Sequence, residues 1–110
     1  MQPDDCLFCR LYRDGDHVRR GDGFVAIRDI NPQADTHLLV IPERHIESFH
    51  EIAEFPPDEA KGMLDFVARV AADSGLTDYR VVVNAGAGAG QTIFHLHWHV
   101  LSGGLTGRMT

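Results

Sequence analysis

The stretch "FHLHWHVLSGG", residues 94–104, sets His95, His97 and His99 at alternate positions with large apolar residues between them. On a β-strand successive side chains point to opposite faces, so the three imidazoles share one face with roots roughly 7 Å apart. Phe94, Leu96, Trp98 and Val100 then share the other face, which is expected to pack as core. A helix would scatter the same three rings over more than half its circumference. Neutral imidazole is a competent nucleophile near pH 7, and a second imidazole two residues away can carry a proton and neutralise a developing oxyanion. Two imidazolium ions so close repel, which favours one neutral and one charged partner. Histidines two apart on a strand also suit a metal, with Asp29 and His37 available to complete its sphere. The row alone supports three readings: a nucleophile beside its electrostatic partner, a catalytic metal held by the row, or a binding surface without turnover.

Two further patterns bear on chemistry. Cys6 and Cys9 are the chain's two cysteines, spaced as Cys-Leu-Phe-Cys. That spacing suits half a zinc site or a redox pair better than a structural disulfide. A redox motif expects a strand in front of it, and only five residues precede Cys6, so half a zinc site is favoured if two more ligands come from elsewhere. The loop "AGAGAGQ", residues 85–91, opens a strand rather than a helix, which excludes both the P-loop and the dinucleotide fingerprint. What remains is a nest of backbone N–H groups able to receive an anionic oxygen, or a flexible hairpin turn.

These groups must be positioned by the rest of the chain. Residues 6–13 suit a short helix ended by "DGD". "HVRR" and "FVAIRDI" flank Gly21-Asp22-Gly23 as a hairpin, with His17 a solvated strand residue. "NPQADT" is a loop and "HLLVIP" an apolar strand closed by Pro42. Glu43 and Arg44 suit a solvated turn, and "RHIESFHEI" a connection with one helical turn, leaving His50 exposed or packed. Three- and four-residue apolar spacing predicts a helix over 58–74, with Pro57 at its mouth, Asp58 and Glu59 in its first turn and Gly75 beyond its end. "YRVVVN" is a strand, and residues 92–101 return as the histidine strand, with Trp98 in the core. This order predicts an α+β fold, a mostly antiparallel sheet with one long helix.

Composition bounds the rest. The 110 residues suit one domain over 1–110, and 44% hydrophobic with 24% charged residues is an ordinary globular balance. A net charge of −6 without a basic block argues against a nucleic-acid polymer, while a few N–H groups and an imidazolium suffice for a mononucleotide. Apolar runs of about five residues are too short to span a membrane. The start "MQPDDCLFC" lacks the basic and apolar regions of a secretory signal, and the chain reads as cytoplasmic.

Residues 29–101 resemble the histidine triad superfamily of nucleotide hydrolases and transferases, most closely its nucleoside-phosphoramidase branch. The resemblance rests on "HLHWHVL", "RDINPQADTHLLVIPERHI" and "YRVVVNAGAGAGQTIFH" in order and spacing. It implies a compact α+β fold that joins two sheets across a homodimer, and hydrolysis at phosphorus of an AMP-like purine nucleotide through a nucleotidyl-histidine. By position it implies that His97 is the nucleophile, that His99 contacts the phosphate and that His37 helps orient His97. Asp29 matches the carboxylate that holds the ribose, Ile27 and Ile30 the base pocket, and Asn84, Gly90, Gln91 and Thr92 the surroundings of phosphate and leaving group. A sister branch cleaves dinucleoside polyphosphates. In the zinc-bearing subset with CxxC, the ligands match Cys6, Cys9, His45 and His95, with His50 competing for the third place. The tail "SGGLTGRMT" lacks the Trp-Pro-Pro ending of some relatives.

Overall fold

The structure is a computed structural model that describes residues 6–105. Residues 1–5 and 106–110, the latter holding the end of the tail, lie outside the described residues. The two most apolar runs form the centre of the sheet. β2 (Phe24–Arg28) and β3 (Thr36–Pro42) are buried along nearly their whole length, as strands covered on both faces must be. β1 (Arg19–Arg20) pairs antiparallel with β2 around Gly23, whose φ of 88° suits glycine in the turn. β4 (Arg80–Val82) and β5 (Trp98–Ser102) complete the sheet. Among the described residues it has five strands in the order β1-β2-β3-β5-β4, with every pairing antiparallel.

Each face carries one helix. α2 (Pro57–Asp73) starts with Pro57 at its first positions and with Asp58 and Glu59 in its first turn, and it ends where Gly75 adopts φ 76°. Its Met63, Phe66, Val67 and Val70 pack on Leu38, Val40, Leu96, Trp98 and Val100. α1 (Leu7–Asp14) covers the opposite face, where Phe8 meets Val25, Ile27, Leu39 and Ile41. The α+β architecture with one long helix is as expected from the sequence. No helix among the described residues is long and apolar enough to cross a membrane.

Several elements differ from the sequence expectations. The histidine strand begins at Trp98 rather than at residue 92. Its partner β3 ends at Pro42, which has no N–H to donate, and the last ladder pair is Val40 with Trp98. Upstream the chain is held point by point, with the Leu96 N–H on the Ile46 carbonyl at 2.8 Å. The inward apolar alternation stops with it: Leu96 is core, whereas Phe94 is exposed. The strand expected over "YRVVVN" is confined to Arg80–Val82. His17 precedes β1 and sits 2.8 Å from the Leu11 carbonyl at the end of α1. Arg44 is anchored rather than merely solvated, donating from Nε and Nη2 to the Glu59 carboxylate at 2.8 Å.

Met63 is 1% exposed at the centre of the α2 face. Met63→Ala is expected to lower unfolding free energy by about 2–5 kcal/mol through the cavity it leaves. In urea titrations the midpoint should fall with an unchanged slope. A loss under about 1 kcal/mol would show that α2 does not pack there as described.

Candidate active site and metal centre

The cysteines meet the histidine row at one point. Cys6 caps α1, its Sγ accepting from the Cys9 N–H at 3.3 Å, so both sulfurs lie on one side of the first turn. Opposite them stands His95, which is completely buried. Its Nε2 lies 2.8 Å from the Pro42 carbonyl, which can only accept, so Nε2 carries the proton and Nδ1 offers a lone pair. That Nδ1 is 3.3 Å from Cys6 Sγ, 3.4 Å from Cys9 Sγ and 3.0 Å from His45 Nδ1. Cys9 Sγ is also 3.4 Å from His45 Nδ1. All four atoms lie within 4.8 Å of one another, close enough to bind one metal ion. Burial, and then Cys6, push the Cys9 thiol up to about 12, and a cation would reverse that pressure. His50 does not join this group: it is exposed, with Nδ1 2.8 Å from Ser48 Oγ.

Backbone groups also set the other imidazoles. His97 Nδ1 lies 2.8 Å from the His95 carbonyl, so Nδ1 is the donor and the Nε2 lone pair is left unengaged by that bond. His37, on β3, accepts from the Gln33 N–H at Nδ1, 3.0 Å, and so donates from Nε2. Its acceptors are His99 Nδ1 at 2.9 Å and, more distantly, Asp29 Oδ2 at 3.4 Å. His99 must therefore carry its own proton on Nε2, a buried atom with no hydrogen-bond partner among the described residues. Burial holds His37 and His97 below the ordinary imidazole value, and burial with its histidine neighbours takes His99 down to about 4. The rings are thus neutral near pH 7, with His97 and His99 centroids 5.1 Å apart. One presents a lone pair, the other an unpartnered donor.

His97 and His99 line a cavity of about 270 Å³. It brings together Ile27, Asp29, Ile30 and Thr92 from the sequence-predicted set, with Ile30 on the rim at 92% exposure. Asn84, Gly90 and Gln91 are not part of its lining. Gln91 is buried and occupied: its Nε2 donates to the carbonyls of Glu47 at 2.6 Å and Ile93 at 2.9 Å, and its Oε1 accepts from the Gly86 N–H at 2.8 Å. The expected nest is largely closed, because residues 87–89 form a 3-10 turn. The N–H groups of Ala89, Gly90 and Gln91 bond to loop carbonyls at 3.0–3.1 Å. Sequence reasoning missed Leu7, Phe8 and Leu11, which line the cavity from α1. Phe8 stands edge-on to His97, centroids 4.8 Å apart at 84°. The detectable signal was that the apolar residues lie between and just after two metal-type ligands.

Residues 13–104 match the family model described as HIT domain. Protein HitA of Neisseria gonorrhoeae is 39% identical over 110 aligned residues, covering 89% of this chain and 95% of that protein. The chain is similar in structure to a histidine triad protein from Clostridium difficile, with a TM-score of 0.84, 30% identity and full coverage of both chains. It is also similar to a HIT family hydrolase from Legionella pneumophila, with a TM-score of 0.82, 33% identity and 96% coverage of each chain. The tautomer-locked histidine row, the fold that carries it and these matches agree: the chain belongs to the HIT domain family.

Proposed function

We propose that this chain is a nucleotide hydrolase that cleaves the bond from phosphorus to an amine, or a similar leaving group, in AMP-like nucleoside monophosphate derivatives. One observation carries the reading: the His97 Nδ1 proton is held by the His95 carbonyl, which leaves the Nε2 lone pair as nucleophile beside the unpartnered His99 Nε2–H. The similar Legionella protein, described as a hydrolase, supports the same reaction class.

In the first displacement the His97 Nε2 lone pair bonds to phosphorus while the P–N bond breaks, and the departing amine nitrogen takes up one proton from solvent. The His95 carbonyl stabilises the positive charge that spreads over the imidazole. His99 Nε2–H donates to a phosphoryl oxygen, and His37, steadied by Asp29, keeps His99 in that tautomer. Water then attacks phosphorus and gives up one proton to solvent, replacing the one the amine took, while the bond from phosphorus to His97 breaks, returns its electron pair to Nε2 and releases the monophosphate. Asp29 sits where it can accept from ribose hydroxyls, and Ile27, Ile30, Leu7 and Phe8 offer an apolar slot for a purine. Thr92, which lines the cavity, supplies a hydroxyl near the leaving group, and Gln91 holds the loop behind it; the roles at the phosphate implied for Asn84 and Gly90 rest on the resemblance alone.

The same reading assigns zinc to Cys6, Cys9, His45 and His95. A tetrahedral ion with bonds of about 2.0–2.3 Å needs ligand pairs about 3.3–3.8 Å apart. Separations of 3.0–3.4 Å fit with slight expansion. Four protein ligands close the sphere, so the ion's place is structural. The molecule is further proposed to be a homodimer that extends the sheet at β4, the edge strand, with α2 also in the contact; Tyr79 and Val81 at the strand and Leu64 on α2 expose apolar side chains.

Three outcomes test this reading. With adenosine phosphoramidate, acid-quenched mass spectrometry should find a nucleotidyl mass on the peptide holding His97. His97→Ala should abolish turnover and retain AMP binding, and His99→Ala should slow it less completely. Inversion at phosphorus without any adduct would return the problem to a metal-bound water. Dinucleoside polyphosphates in the same panel decide the leaving group.

The second outcome concerns pH. His37 and His99 stay neutral below the usual 6.5, so kcat/KM should remain level through that region. It should fall as pH drops toward about 4, where protonation of His99 Nδ1 removes the acceptor for His37. Half-loss near 6.5 would contradict the buried, neutral cluster.

The third concerns assembly. Light scattering at micromolar concentration should give twice the 12.2 kDa chain mass, and Val81→Arg should shift it toward one. A fully active wild-type monomer would rule out the dimer.

A further inference from the structure

The apolar wall of the cavity and the metal-type cage are built from the same helical turn. Leu7 and Phe8 fill the two positions between Cys6 and Cys9, and Leu11 follows one turn after Leu7. α1 has only eight residues, and helices this short are marginal unless something outside holds them. Fixing both sulfurs against His45 and His95 fixes the direction of the Leu7 and Phe8 side chains, because i and i+3 share one side of a helix. The cage then reaches His97 by two routes. Through space, the Phe8 ring stands edge-on to both His97 at 4.8 Å and His95 at 6.3 Å. Through the chain, His95 contributes Nδ1 to the cage and its carbonyl to the Nδ1 proton of His97.

We propose that the cage is a clamp on the nucleotide pocket: an ion held by Cys6, Cys9, His45 and His95 seats Leu7 and Phe8 as the pocket wall, so cage occupancy sets nucleotide affinity and the tautomer of His97. Phe8 is a positioning and specificity residue, touching both the ring of His97 and the space for the base. The inference rests on the nucleotide-pocket and zinc readings above. It differs from a purely structural ion, which would change melting temperature and leave affinity alone.

The test uses the full chain, with AMP as the probe and zinc content measured by elemental analysis. Zinc-loaded, chelator-stripped and zinc-restored protein are compared by calorimetric AMP titration, far-ultraviolet circular dichroism and imidazole 15N spectra. Stripping should weaken AMP binding by about tenfold or more while the sheet remains folded, and restoring zinc should reverse it. The His97 spectrum should show a single Nδ1–H tautomer when loaded and a mixture when stripped.

Phe8→Ala should keep about one zinc per chain yet bind AMP about tenfold more weakly, with little further loss on stripping. Phe8→Leu should recover part of the affinity. If stripping unfolds the chain, zinc-loaded Phe8→Ala decides, and unchanged affinity there overturns the clamp. A chain that takes up no zinc overturns it, as does a stripped, folded chain with unchanged affinity and His97 spectrum. Failure of loaded wild type to bind AMP would refute the nucleotide reading instead. The His97 spectrum then decides the clamp alone: a change on stripping sustains it, and no change ends it.

Discussion

A buried imidazole must account for each of its nitrogens, and His95 does so in a way that organises its surroundings. The Pro42 carbonyl claims the Nε2 proton, which turns the Nδ1 lone pair toward Cys6, Cys9 and His45. The carbonyl of the same residue claims the Nδ1 proton of His97. One residue therefore orients the cluster of metal-type groups on one side and the His97 ring on the other. Were His95 replaced by a residue without that ring, both the cage and the backbone path that carries the acceptor would lose their anchor. The backbone acceptor suits its task, since unlike a carboxylate it cannot itself take up the proton and change state.

Around this anchor the cavity resolves a conflict between burial and polarity. Four histidines, His37, His95, His97 and His99, are buried among the apolar side chains that form the core. Burial disfavours their charged forms, and neutral rings each need a definite donor and acceptor. The chain of assignments from Gln33 N–H to His37 to His99 satisfies every nitrogen along it but the last, so its one unmet donor, His99 Nε2, stands beside the unengaged Nε2 lone pair of His97. Unsatisfied buried groups are costly; among the described residues Trp98 Nε1 and His99 Nε2 are the two buried side-chain donors without a partner, and His99 is the one that lines the cavity. The apolar faces of β2 and β3 supply the rigid support that this arrangement requires.

Much of this was legible in residue order. Alternation alone assigned Leu96, Trp98 and Val100 to one side and His97 and His99 to the other, and the 58–74 periodicity located α2 within one residue at each end. What alternation could not convey was where the ladder stops, because that depends on which residue of β3 stands opposite, and Pro42 enters only through register. The glycine loop was ambiguous for a similar reason. Its N–H groups are free or engaged according to φ values and to the Gln91 side chain, neither of which composition encodes. The wall residues of α1 were hidden by proximity to the cysteines, since a short apolar dipeptide carries no periodicity of its own. His45 was placed correctly beside Cys9 from family resemblance, but geometry separates it from His50.

The pairing of Cys6 with His95 spans 89 residues, nearly the whole described chain. A covalent bridge across such a span would remove conformational freedom from the denatured ensemble, on the order of 4–5 kcal/mol in the chain-entropy view. An ion held by these groups would make the same connection by mass action instead, so the stabilisation it would confer has no fixed value. Above its dissociation constant, each tenfold rise in free metal adds about 1.4 kcal/mol to the folded state, and each tenfold fall removes as much. The melting point of such a chain is a logarithmic gauge of the metal concentration around it.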